Sequence, residues 1–148
     1  MSKWITREKA HVDRIACPWL IKNFVDREAV FLYVPKDKVI EVAMQENATS
    51  YDTPGVELTH YQEDGFEHVS FDAIIKKYNL KENKALLKLA EIVRGADAKT
   101  PHNPPQESMG LRAAADGFAL IAKDDFDNQR QQFPLYDALY RYCQSKIE

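Results

Sequence analysis

Every stretch of this 148-residue chain that reads as a β-strand ends by Tyr61, and from Ser70 onward the apolar residues recur at helical spacing. A chain patterned this way can build only a small sheet, and helices must cover the rest of its apolar surface. In the first half, residues 3–6 read as a short strand or an extended lead-in. Residues 29–34 (AVFLYV) are β-branched and aromatic, are stopped by Pro35, and read as a buried strand. Residues 36–45 set Val39, Ile40, Val42 and Ala43 at helical spacing, a short helix. A brief strand at 50–52 precedes the turn signal Pro54–Gly55. The alternation of 56–61 (VELTHY) reads as another strand, and 62–67 as a polar loop. In the second half, Ser70 is a good N-cap for a helix over 71–78. The wide apolar face of 83–94 predicts a helix that Gly95 ends. A loop at 99–105 holds His102, 106–122 is helical, and 124–146 is one long or broken helix around Pro134. The expected fold is α+β, one domain over residues 1–148, with a small sheet covered by several helices.

Composition narrows the function. At 45% hydrophobic the chain buries a sizeable core, which excludes disorder. A net charge of −3 argues against a surface for nucleic acid or anionic membrane, so no direct nucleic-acid contact is expected. No window approaches the length of a membrane span, and the charged N-terminus lacks the apolar run of a signal peptide. Cys17 and Cys143 form no disulfide framework, and a reduced, cytoplasmic setting fits them. No Gly-rich phosphate loop, HExxH, CxxC or nucleophile elbow is present.

The densest chemistry lies in residues 11–24, HVDRIACPWLIKNF. Proline favours the first helical position, so a helix is expected to begin at Pro18 with Cys17 at its cap. The helix dipole there favours a thiolate, which makes Cys17 a candidate catalytic thiol. The alternative is a small buried apolar residue. Arg14, Lys22 and Arg94 could converge on a tetrahedral oxyanion, to which arginine offers a planar fork of donors. Alternatively Arg14 pairs with Asp13 or Asp97, and Arg94 with Asp97. A second constellation is metal-like: His60, Glu57, His11, Asp13 and Asp97 form a mixed His/carboxylate set that suits zinc or another divalent first-row ion. Here the alternative is His60 as a polar strand-edge residue and Asp97 as a turn cap. His60, Asp97 and the pair His11/Asp13 all fall at element ends, where rigid segments can present groups to one cleft. His68 and His102 read as surface histidines. Tyr136, Tyr140 and Cys143 share one helical face and read as core.

Four segments together resemble the chromate-resistance protein family of ChrB type: HVDRIACPWLIKNFVD (11–26), YDTPGVELTH (51–60), IVRGADA (92–98) and YDALYRYC (136–143). The resemblance covers nearly the whole chain. Longer members carry an additional N-terminal portion linked to regulation of a chromate efflux gene, and this chain looks like the C-terminal-type domain standing alone. The resemblance also implies a cysteine near Val69, where this chain has none. The implied function is a soluble domain serving chromate or oxyanion stress, binding an oxyanion or a divalent metal in sensing or regulation. The alternative is a metal- or thiol-dependent redox enzyme acting on chromate or reactive oxygen.

Overall fold

The structure, a computed structural model, describes residues 1–147. The chain opens with β1 (Lys3–Arg7), α1 (Asp13–Phe24), β2 (Val30–Val34), α2 (Val39–Glu46) and β3 (Thr49–Ser50). β1 is the middle strand, with β2 and β3 parallel to it on either side, Trp4 aligned with Phe31 and Thr49. Parallel neighbours need crossover connections, which α1 and α2 supply. Alternation along β1 then divides the core. Trp4 faces the main core with Ile15, Trp19 and Leu20 of α1, and Ile5 faces α2 through Val39 and Ala43.

A hairpin of β4 (Tyr61–Glu63) and β5 (Phe66–His68) follows, then four helices: α3 (Ser70–Lys77), α4 (Lys84–Asp97), α5 (Glu107–Ile121) and α6 (Asp125–Ser145). Asn83 caps α4 by accepting from Leu86 N–H at 3.0 Å, and Asp124 caps α6 by accepting from Asp127 N–H at 2.8 Å. α1 packs on α3 and α6, and α4 on α5 and α6, closing one main core of α1, α3, α4 and α6. The class is α+β, with far more helix than strand.

Several local expectations are corrected. The helix expected at Pro18 begins at Asp13, so Pro18 sits in its second turn and Cys17 inside it. Proline cannot donate to the Arg14 carbonyl. The Tyr33 hydroxyl donates to that carbonyl instead, at 2.8 Å, which lets the helix run through the proline. VELTHY is not one strand: Leu58 makes an isolated bridge to Tyr51, only its last residue, Tyr61, enters β4, and the segment loops after Gly55, whose φ is +88°. The expected polar loop 62–67 is the hairpin itself, turned at Asp64–Gly65 with both residues at positive φ, the conformation Asp-Gly favours. Its strand β5 buries His68, stacked between Tyr61 and Phe66, so His68 is not a surface histidine.

Gly95 does not end α4; it lies within it, where α5 approaches. A Cβ there would stand 2.8 Å from Pro104 Cβ and 2.9 Å from Ser108 Cβ, atoms fixed by their own backbone. Ser108 is also anchored by donating its hydroxyl to the Ile92 carbonyl. Gly95→Ala is therefore expected to destabilise the fold by about 1–3 kcal/mol, overpacking outweighing the helix propensity of alanine. Thermal unfolding would show this as a lower midpoint, and an unchanged or raised midpoint would contradict it.

Candidate metal centre

Four element ends meet beside the sheet. Asp13 opens α1, Asp52 follows β3, His60 leads into β4, and Asp97 closes α4. One ligand atom from each lies within 4.8 Å of all the others. His60 Nε2 is 3.1 Å from Asp97 Oδ2, 3.3 Å from Asp52 Oδ1 and 3.6 Å from Asp13 Oδ2. Its Nδ1–H donates to Glu67 Oε2 at 2.9 Å, because an ionised carboxylate can only accept. That bond aims Nε2 at the three aspartates.

Each carboxylate is held by further donors. Asp13 accepts from the N–H groups of Ser70 at 2.8 Å and Phe71 at 3.2 Å, the first turn of α3, and from the Cys17 thiol at 3.3 Å. Asp52 accepts from the Ser70 hydroxyl at 2.7 Å, with Arg14 Nε at 3.4 Å. Its backbone takes the left-handed conformation, φ +48°, which a short polar residue tolerates and which turns its side chain from the strand end toward His60. Glu67 accepts from the N–H groups of Lys99 and Thr100 and from the Thr100 hydroxyl, tying the hairpin to the chain just past Asp97.

Electrostatics follow from this packing. Burial, then the charge of Asp52, pushes the Asp13 carboxyl up to about 7. Burial acts the same way on Asp52, but hydrogen bonds from His60 and Ser70 outweigh it and hold its pKa below the usual value. Burial alone would lower His60, yet its bonds to Asp13, Asp52 and Asp97 keep the imidazolium well above the ordinary histidine range. Without a metal, His60 is thus the cation of the cluster. Three carboxylates around one imidazole are a donor set for a divalent cation, and such close like charges are costly without one.

The structure brings together three of the sequence-derived metal candidates, Asp13, His60 and Asp97, and adds Asp52. Glu57 stands apart, exposed and paired with Lys77 at 2.8 Å. His11 is also outside the four, paired with Asp116 at 2.7 Å on the rim. Of the oxyanion candidates only Arg14 reaches the cluster. Arg94 makes two bonds to Asp72, at 3.0 and 3.1 Å, and Lys22 lies exposed on α1. Cys17 is fully buried, and burial, then the nearby Asp13 charge, pushes its thiol well up, so neither condition for a reactive thiolate is met. Cys143 is also free and buried. The sequence reading missed Asp52, Glu67, Arg7 and Lys99. The signal for Asp52 was an aspartate directly before Thr-Pro-Gly at a strand end, and for Glu67 the Asp-Gly turn that makes a hairpin of its loop.

Glu67 fixes both the ring and the tautomer of His60, so Glu67→Gln is expected to weaken metal binding by about 10–100-fold while the fold persists. Calorimetric titration measures this, and unchanged affinity would remove Glu67 from the site.

A family model described as "ChrB, C-terminal domain" matches residues 4–143. The chain is also 30% identical over 143 residues to Protein ChrB of Cupriavidus metallidurans, covering 97% of this chain and 41% of that protein. It therefore spans about two fifths of this longer relative. No solved structure matches the chain. All four sequence segments, and all four clustered side chains, fall inside the matched span, and the chain belongs to the chromate-resistance family of ChrB type.

Proposed function

We propose that this chain serves chromate or oxyanion resistance as a metal-binding domain, holding a divalent first-row ion on Asp13, Asp52, His60 and Asp97 for sensing or regulation. The observation that carries the reading is the convergence of three carboxylates and one imidazole, with ligand atoms within 4.8 Å of one another. The carboxylates suit harder ions such as manganese or iron, and the imidazole suits zinc. Glu67 on the far ring nitrogen is the carboxylate–histidine support common behind metal-bound imidazoles.

The test is metal analysis of protein purified without an affinity tag, followed by melting with and without added Zn²⁺, Mn²⁺ or Fe²⁺. Near-stoichiometric metal is expected, with a stabilisation of about 2.7 kcal/mol at one hundred times Kd. No copurified metal together with no shift from any of the three ions would refute it.

A second reading, a metal-dependent redox enzyme acting on chromate or reactive oxygen, is favoured by one feature. The cluster is not closed: its His60 and Asp52 face an open cleft, as a catalytic metal requires. Turnover of chromate or superoxide by metal-loaded protein, absent from the metal-free form, would select it.

A further inference from the structure

We propose that the cleft over the cluster binds a small organic acid, its acidic head group seated between the metal, Arg7 and Lys99 and its carbon body lying along Thr59, Tyr61 and Gln62. This rests on the metal reading above and adds the ligand that would complete the site.

Size is the first reason. The cleft that holds Asp52 and His60 has a volume of about 570 Å³ and continues past Pro54 and Gly55 to Tyr61 and Gln62. A bare tetrahedral oxyanion fills only roughly two or three water volumes of ~30 Å³. The space is instead that of a site for an organic molecule, which runs to several hundred Å³. Away from the cluster its walls are Pro54, Gly55, Thr59, Tyr61 and Gln62, none of them charged.

Charge is the second. Four carboxylates, Asp13, Asp52, Asp97 and Glu67, face three cations, Arg7, Arg14 and Lys99. Arg7 and Lys99 line the same cleft as Asp52 and His60, so an anion that enters it meets cations beside the cluster. The cations also differ in what they have left to give. Arg14 is engaged with the carbonyls of Arg7 and Glu8 and with Asp52. Arg7 spends its Nε–H on the Asp52 carbonyl but stands 3.8 Å from the Asp52 carboxylate and keeps donors toward the cleft. Lys99 is exposed and its ammonium pairs with no carboxylate among the described residues. Its backbone N–H, held by Glu67, fixes the root of the side chain at the cleft wall.

A carboxylate and a phosphate monoester share the acidic head group that this arrangement recognises. Titration calorimetry on the metal-loaded full chain separates them, with malate for the first, phenyl phosphate for the second, and inorganic sulfate and phosphate as bare-ion probes. Malate or phenyl phosphate is expected to bind about tenfold or more tighter than either inorganic ion, and Lys99→Ala to lose about tenfold or more of that affinity, as removing one charged hydrogen bond predicts. Lys22→Ala, outside the cleft, serves as the control and is expected to bind like the wild type. Inorganic sulfate or phosphate binding as tightly as both organic probes, neither organic probe binding, or an unaffected Lys99→Ala would each overturn the proposal while metal binding stands. Failure to load metal at all overturns the metal reading, and this inference with it.

Discussion

His60→Ala is expected to abolish divalent-metal binding at micromolar ion concentrations. Asp52→Asn should come close to it, and Glu57→Ala should change nothing. His60 supplies the single nitrogen of the four-donor set, and its Nε2 lies within 3.6 Å of all three partner aspartates. Neither His11 nor His68 can replace it: His11 is turned to Asp116 and His68 is locked between two aromatic rings. Asp52 contributes a buried carboxylate that lines the cleft, and the amide keeps its shape but loses the charge. Glu57 is the control because the sequence offered it as a ligand, yet it lies apart from the cluster, paired with Lys77. Calorimetric titration of the three variants decides the matter, with far-ultraviolet circular dichroism confirming that His60→Ala stays helical. Retained binding in His60→Ala, or equal losses in all three, would dissolve the proposed site.

The same residues show what the chain discloses before it is folded. Helices α3 to α6 were legible because each carries its apolar face at a 3.6-residue period, a signal local to the element. AVFLYV was legible as a strand from its β-branched and aromatic run, but the expectation that it is buried fails: it lies at the sheet edge, and of Val30–Val34 only Phe31 is buried. Pro18 misled because a proline early in a helix marks its start unless another group takes the carbonyl it leaves free, and Tyr33 comes from a strand 19 residues away. Gly95 misled because glycine also serves where helices touch, and Ser108 and Pro104 appear nowhere in the local pattern. At the cluster, chemistry at element ends pointed to Asp13, His60 and Asp97. Asp52 escaped because its aim depends on one left-handed backbone angle, and Glu67 because its hairpin was read as a loop. Arginines were the least legible. Whether Arg94 meets an anion or Asp72 is decided by the packing of α3 on α4, which no spacing encodes.

Metal binding is expected to release between one and two protons near neutral pH and to tighten about tenfold per pH unit for each proton displaced. Two groups set this. The Asp13 carboxyl, pushed up to about 7 by burial and the charge of Asp52, is partly protonated in the metal-free fold at pH 7. The His60 imidazolium, held by three aspartates against the opposing effect of burial, keeps its proton throughout this range. A cation needs both sites bare. The sign for the metal-free fold is opposite. Asp13 has a folded pKa above its unfolded value, so its contribution is present below pH 4 and is lost as pH rises toward 7. His60, likewise raised, contributes fully below its unfolded pKa near 6.5, and the contribution declines above it. Asp52 and Glu67, both lowered, act the other way, but their contributions are complete well below neutrality. From pH 6 to 8 the metal-free protein should therefore lose stability while the metal-loaded protein holds its own, and the gap between their melting temperatures should widen. Calorimetry in buffers of differing ionisation enthalpy counts the protons directly, and melting at pH 6, 7 and 8 tests the gap. Proton uptake on binding, or a gap that narrows with pH, would mean that the cation does not displace protons from His60 and Asp13.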